Sequence, residues 1–505
     1  MAHRSEQDSQ AAGRGALLAV CLAALALPLA FSAGAVVVPS LELGQGASPL
    51  ALAWVTNAFM LTFGGLLLAA GALADRLGRR RVFLAGTAGF AAATACVCLA
   101  PDLLWLDIAR GLQGIAAAAA LASGTAALAQ AWQGPGRARA FALLGTTFGA
   151  GLALGPLLAG VLLHVAGWRS VFASSGVLAL LACLLGARML RESHGDRMRL
   201  DVVGMLVFSL MLASLTLALL WLGERGMGAP QVQIAFGICV LLAFLFAWIE
   251  RRQATPLLDL SLFSQRAFVG VQLLPVATCF GYVVLLVVLP LQLLGVHRQG
   301  TGIVGLQMLA LSAPLLVLPL LAARWAQRWG STRLCSLGLL VCALGLWGLS
   351  RHAAAPVPMQ WIPQLLLIGA GAALPWGLMD GLSVSVVPVQ RAGMAAGMFG
   401  TVRVAGEGIA LAAVTALLAG LIGRHLPSAG PQAIASASMY LVTGDLDTAR
   451  AGLPQATVAE LQQASGEALA TLLRVLSVLT LVCAALLQLL LGRSEALHET
   501  HPERA

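Results

Sequence analysis

The chain has 505 residues, of which 59% are apolar and only 10% charged, whereas about a quarter of a soluble domain is charged. That balance excludes a soluble globular protein, a disordered chain and a coiled coil. A mean hydropathy of +0.89 also excludes an outer-membrane barrel, whose strands alternate polar and apolar residues. The formal charge of +9 is carried by arginine without any lysine, and its placement along an apolar chain says more than its size.

Residues 1–14 read as a short tail. The apolar run 15–38 ends in the small residues of Phe31-Ser32-Ala33, as a signal peptide does, but it exceeds the roughly 7 to 15 residues of a signal's apolar core and is taken as span 1. With about 20 residues needed for each crossing, further spans fall at 50–72, 82–100, 104–131, 141–166, 170–187, 202–222, 232–249, 268–294, 303–322, 334–350, 361–387, 395–422 and 474–492, fourteen in all. An even count places both termini on one side. Alternate loops, together with the tails, then collect 21 of the 30 arginines, whereas the opposite loops hold only Arg169, Arg225, Arg298, Arg351, Arg424, Arg450 and Arg474. The positive-inside rule therefore predicts cytoplasmic termini and a multi-pass protein of the plasma (inner) membrane.

Ten of the eleven tryptophans lie near span ends, as an aromatic belt requires, and only Trp376 lies deep, in span 12. Two loops are long, 188–200 on the arginine-rich side and 423–473 opposite it, and within the second the stretch from Val458 to Leu473 predicts a helical extension of span 14. The nine cysteines sit in apolar runs and read as small buried hydrophobes. Asp445 and Asp447 read as a solvated pair, so no metal site is expected.

A repeat with an offset of about 252 residues relates Gly71 to Arg81, after span 2, to Ala323 to Arg333, after span 10. Parallel repeats of this kind build transporters with a substrate site between them. Gly71-Ala-Leu-Ala-Asp75-Arg76-Leu-Gly78-Arg79-Arg80-Arg81 resembles the loop 2-3 signature of the major facilitator superfamily. Arg110-Gly-Leu-Gln113-Gly114 resembles its fourth-helix signature. Gly151 to Gly160, with Gly155, Pro156 and Ala159, resembles the fifth-helix antiporter signature. The stretch from Glu250 to Phe263 is similar to the connector into the second half. The resemblance is to the fourteen-helix drug:proton antiporter branch. It implies an all-α polytopic fold with a six-helix half at 15–187, a linker with two inserted spans at 188–267, a second six-helix half at 268–492 and a tail at 493–505. Two family features are missing: span 1 has Leu29-Ala30-Phe31-Ser32-Ala33-Gly34-Ala35 where an Asp and an Asn are common, and Gln327 replaces the second signature Asp.

Asp75 sits among arginines at the end of span 2, where it can pair locally or approach the start of span 13 near Ala392 to Ala395 and latch that side shut. Gly151, Gly155 and Ala159 place small residues on one helix face, with a bend at Pro156, and are read as a rigid contact between the two halves. Charges inside spans are costly, at least about 2.5 to 3.5 kcal/mol each at a span centre, and mark function by default. They are Asp107, Arg110, Asp380, Arg403 and Glu407. Asp107 with Arg110, and Arg403 with Glu407, have helical spacing for local pairs. By resemblance Arg110 serves coupling, Arg403 matches a family Arg, and Glu407 stands in place of a Gly. Asp380 has no opposite charge within its own turn and has Trp376 four residues earlier. The two suggest a site where a lipophilic cation competes with a proton. Alternatively, Asp380 pairs with an arginine of another span and Trp376 fills the core. Gln113 completes the substrate candidates.

The expected function is proton-coupled export of amphiphilic, cationic drugs or toxic compounds by alternating access. A dedicated metabolite or siderophore exporter is the alternative, and a non-transporting sensor or assembly partner a more distant one. No Gly-x4-Gly-Lys-Ser/Thr motif is present and the chain has no lysine, so it cannot itself hold ATP in that way. No catalytic cluster is apparent, and no enzyme activity is expected. The expected partners are a small-molecule substrate, protons and the lipid bilayer; no cofactor and no nucleic acid is expected, and the sequence leaves open a periplasmic adaptor.

Overall fold

The computed structural model describes residues 2–38, 41, 48–132, 134–194, 201–253, 260–354, 358–387, 392–426 and 430–500. Where no water is present to satisfy backbone N–H and C=O groups, a crossing segment bonds them within itself, and the chain is helical accordingly. The first six spans lie in α1 (Ala2–Val37), α2 (Pro49–Leu77), α3 (Arg79–Cys98), α4 (Leu103–Ala131) and α5 (Gly134–Met189). Ser48 caps α2, with Pro49 in its first turn, and Asp102 caps α4, each side chain accepting a backbone N–H three residues on.

Thirteen helical stretches among the described residues are long and apolar enough to cross a membrane. One of them, Arg139–Met189, is 51 residues long and contains Gly167 at φ 74°, a left-handed conformation that side chains resist. The chain folds back there. Gly151 of the first arm lies against Leu25 and Pro28 of α1, while Phe172 and Met189 of the second meet Gly34 and Gly15. The expected fourteen crossings result. α1 runs on to Ala2 through the stretch predicted to be a tail.

The inserted pair is α6 (Val202–Arg225), capped by Asp201, and α7 (Pro230–Arg252). Only 17% of the apolar window of α7 is buried, against 78% for the ninth span, so the pair lies at the edge of the bundle. The connector residues 254–259 lie outside the described residues.

The ninth span is α8 (Arg266–Thr278) and α9 (Val284–Pro290), with π-helical turns at Cys279–Val283 and Leu291–Val296. The tenth comprises α10 (Thr301–Ser312) and α11 (Pro314–Trp329), and α12 (Ser331–Ser350) is the eleventh. Span 12 is broken. α13 (Pro358–Trp376) ends just past Pro375, and after a turn at 377–378 the chain resumes as α14 (Met379–Ser385). α15 (Ala392–His425) is span 13. The long opposite loop carries α16 (Pro431–Val442) and α17 (Leu446–Gly452), and α18 (Val458–Thr500) carries span 14 with the predicted extension.

The repeat is visible in the backbone. Gly78 (φ 107°) joins α2 to α3, and Gly330 (φ 80°) joins α11 to α12. Each ends one span and starts the next, with a backbone conformation that glycine adopts without strain. The halves meet along α2 and α15: Gly64 lies against Ala405, Met60 against Gly408, and Leu67 against Gly400. On the other flank α5 meets α10, α11 and α14. α6 packs against both α2 and α15, so the insert covers one seam between the halves.

Candidate functional site

In the first half, Arg110 on α4 is fully buried. Its Nε donates to the Val55 carbonyl at 2.8 Å, and its Nη1 donates to Gln113 Oε1 at 2.5 Å. Gln113 Nε2 in turn donates to Thr94 Oγ1 at 2.7 Å. The guanidinium lies 4.4 Å from the centroid of Phe59 and 5.4 Å from that of Phe172, close enough for attraction to both ring faces. The expected pair with Asp107 does not form: Arg110 turns inward to a carbonyl and an amide, and Asp107 Oδ1 has no hydrogen-bond partner among the described residues. Both polar ends of Gln113 are engaged inside the protein.

The second half brings Asp380 and Arg403 together. Arg403 Nη1 donates to both Asp380 oxygens, at 2.9 and 3.0 Å, with both residues buried. This replaces the local Arg403–Glu407 pair suggested by spacing. Asp380 lies at the start of α14, just past the break in span 12, and α14 packs against α15, which puts its carboxylate within reach of Arg403. The Arg403 guanidinium also lies 4.3 Å from the Phe148 centroid and 5.7 Å from that of Trp376. Phe148 and Trp376 stack at 6.0 Å with ring planes 15° apart. The cation on Trp376 in this conformation is therefore Arg403, and the arginine-paired alternative for Asp380 is the one observed.

Phe148 belongs to the first half and the other three groups to the second, so the cluster spans the boundary. A Cβ on Gly145 would overlap Asp380 Oδ2, and one on Gly149 would touch Trp376 at 3.5 Å. The absent side chains let α5 approach the carboxylate and the indole. This corrects the role given to the neighbouring stripe. Gly151 and Gly155 face Leu25, Pro28 and Ser32 of α1, within their own half, and a Cβ on Gly160 would touch nothing within 4 Å. The contact between halves is made one face round, by Gly145, Phe148 and Gly149. The sequence carries a signal for this face, a second small-residue spacing of four at Gly145 and Gly149.

Glu407 is one turn beyond Arg403 on α15 and only 1% exposed. Neither of its carboxylate oxygens has a hydrogen-bond partner among the described residues, and Arg403 Nε has none either. Buried polar groups are otherwise nearly always paired. The Cys279 thiol, in the π-helical turn of the ninth span, donates to the Arg403 carbonyl at 3.7 Å and faces this part of α15.

At the arginine-rich end, Asp75 pairs with Arg79 at 2.8 Å, and Arg79 also donates to Gln130 at 2.7 Å. The predicted approach of Asp75 to the start of span 13 is not among the described contacts, and the side chains of 392–394 lie outside the described residues. Arg76 is exposed. An unforeseen residue, Glu192, holds the loop. Its Oε1 accepts the Arg80 and Ser193 backbone N–H groups at 3.1 Å each, and Arg80 Nη2 donates to the Ala187 carbonyl at 2.7 Å. A Cβ on Gly78 would come 2.5 Å from Glu192. Glutamate thus caps α3 from the end of span 6. In the long opposite loop, Asp445 caps α17 and Asp447 pairs with Arg298.

A bundle of fourteen crossings in two repeated halves, meeting over buried charges and aromatic rings, is the architecture of a membrane transporter. The chain belongs to the Major Facilitator Superfamily, whose profile matches residues 20–411. It is 32% identical over 404 residues to the puromycin resistance protein pur8 of Streptomyces alboniger, covering 78% of this chain and 80% of that protein. It is 29% identical over 408 residues to the multidrug resistance protein Stp of Mycobacterium tuberculosis, covering 79% and 75%. Among solved structures, the human organic anion transporter MFSD10 has a similar fold, with a TM-score of 0.58 at 18% identity over 94% of this chain and 99% of that one. The protein is accordingly a multi-pass transporter of small molecules and not an enzyme.

Proposed function

We propose that the protein exports amphiphilic cations in exchange for protons, by alternating access between its two halves. The observation that carries this is the cluster at their boundary, where two buried acids, one arginine and two stacked aromatic rings lie together. Such a cluster can bind either a proton or an organic cation, since carboxylates attract both and ring faces attract cations by about 0.5 to 2 kcal/mol. Resistance and multidrug relatives support a drug-like substrate. The proton gradient is the energy source, and no cofactor takes part. The arginine distribution supports cytoplasmic termini in the plasma membrane, which puts Asp75 and the Gly145–Asp380 contact on the cytoplasmic side.

In this conformation α5 is packed against α14 through Gly145 and Asp380. Opening toward the cytoplasm requires Phe148 to leave Arg403 and Trp376. Whole-cell efflux of cationic dyes, with and without a protonophore, tests the reading. Uncoupler-sensitive efflux of several unrelated cations is expected. Export of one metabolite alone would favour a dedicated exporter, and no transport would overturn the proposal.

A further inference from the structure

We propose that Arg403 is a built-in stand-in for the substrate cation, displaced from Asp380 and the Phe148–Trp376 pair when substrate binds and received by Glu407 as that acid gives up its proton. This rests on the cation:proton exchange proposed above and adds to it a proton carrier and a stoichiometry.

Two observations and one physical constraint lead there. Arg403 fills a seat made of one carboxylate and the rings of Phe148 and Trp376, with Phe399 of its own helix 5.8 Å away, a suitable site for an organic cation with exposed rings or alkyl groups. Removing an arginine from a buried carboxylate is strongly unfavourable unless both charges find new partners. Both new partners are at hand. The incoming cation takes Asp380, and Glu407, at i,i+4 spacing from Arg403 on the same helix, is buried with neither carboxylate oxygen hydrogen-bonded among the described residues, while Arg403 Nε is also without a partner.

Charge balances in the exchange. Before binding, Asp380 and Arg403 neutralise each other and Glu407 is protonated. Afterwards the substrate cation is neutralised by Asp380, Arg403 by ionised Glu407, and one proton has left for the open side. One cation enters for each proton released, and the site stays neutral throughout. Protonation of Glu407 from the other side reverses the step and expels the cation. Arg403 on its own helix and Cys279 on the ninth span are the titratable groups set against Glu407. On the elements packed against α15, Asp75 and Arg76 of α2, Glu224 and Arg225 of α6 and Arg266 of α8 lie at helix ends, and Arg474 of α18 is exposed; Glu467 of α18 is half-buried and paired with His425, Arg110 of α4 is held by Val55 and Gln113 with Asp107 half-buried nearby, Asp380 of α14 by Arg403, Tyr282 of the π-helical turn by Ser312, and Tyr440 of α16 is half-buried.

The test measures tetraphenylphosphonium binding to the purified full-length protein in weakly buffered detergent, with a pH dye reporting protons released. The wild type is expected to release about one proton per cation and to bind about tenfold tighter for each pH unit raised below the pH at which Glu407 ionises. Glu407→Gln should bind at least tenfold more weakly, independently of pH, and release no proton. Asp380→Asn should lose binding, and Arg403→Gln should keep binding and release its proton from Asp380. Release of one proton per cation by Glu407→Gln would overturn the inference while leaving cation:proton exchange standing. Absence of proton release in the wild type would overturn both. Circular dichroism and size-exclusion profiles identify any variant that fails to fold, and Glu407→Asp, which keeps a titratable acid on α15, should restore pH-dependent binding.

Discussion

Each half of the molecule buries one arginine, and the two are held differently. Arg110 is held by uncharged groups, a main-chain carbonyl, an amide that is itself tied to Thr94 and two ring faces, with only its Nη2 left without a hydrogen-bond partner among the described residues. Every donor and acceptor in that chain belongs to one half, so the network can move as a unit. Arg403 is paired with a carboxylate on a broken helix, lies over a ring from the opposite half, and has a second, unpartnered acid one turn away. Its arrangement has an alternative within reach. The lesson is that a buried charge braced by hydrogen bonds stiffens a half, whereas one with two possible partners can work between halves.

That contrast can be broken by substitution. Asp380→Asn has the largest expected effect, a loss of dye efflux of at least about a hundredfold with normal membrane insertion, since it removes both the seat and the partner of Arg403. Asp75→Asn is expected to abolish most transport by releasing Arg79 from α2, with insertion unaltered; wild-type efflux would show that the pair only sets topology. Gly145→Ala should slow efflux by about tenfold by pushing α5 off Asp380, as small misplacements at a working site do. The same change at Gly160, where a Cβ touches nothing within 4 Å, should leave the rate alone. Trp376→Ala removes a stacking partner with a contribution of about 0.5 to 1.5 kcal/mol and should raise the half-saturating concentration of a cationic dye by about two- to tenfold, sparing neutral substrates. Arg110→Gln should act on the other side of the comparison, lowering thermal stability in detergent by about 2 kcal/mol through the loss of charged hydrogen bonds.

The fold was largely legible because bilayer thickness acts on composition alone. The existence and order of the spans, the fold-back near Gly167 and the extension at Val458 to Leu473 were readable, and so was the repeat that ends each second span in Gly78 or Gly330, whereas the run of α1 back to Ala2 and the break in span 12 were not. Individual site residues were legible too, since Asp380, Arg403 and Glu407 stand out in apolar runs. Their pairing was not. Helical spacing favours Arg403 with Glu407, and only the packing of α14 against α15 shows that Asp380 lies within reach of Arg403. Phe148 and Gly145 were hidden for a related reason: nothing in an apolar helix marks which face meets the other half. Glu192 lies 112 residues from the N–H group of Arg80 that it caps, and a glutamate in a charged loop carries no signal of its own.

The most direct test of the coupling role given to the Arg403 cluster uses proteoliposomes holding the purified protein, in which tetraphenylphosphonium movement is followed under two drives. One is an imposed pH gradient, and the other is exchange of labelled for unlabelled cation at saturating concentration without a gradient. Glu407→Gln is predicted to retain the exchange and to lose accumulation driven by the pH gradient. Accumulation at the wild-type level in that variant would contradict the account.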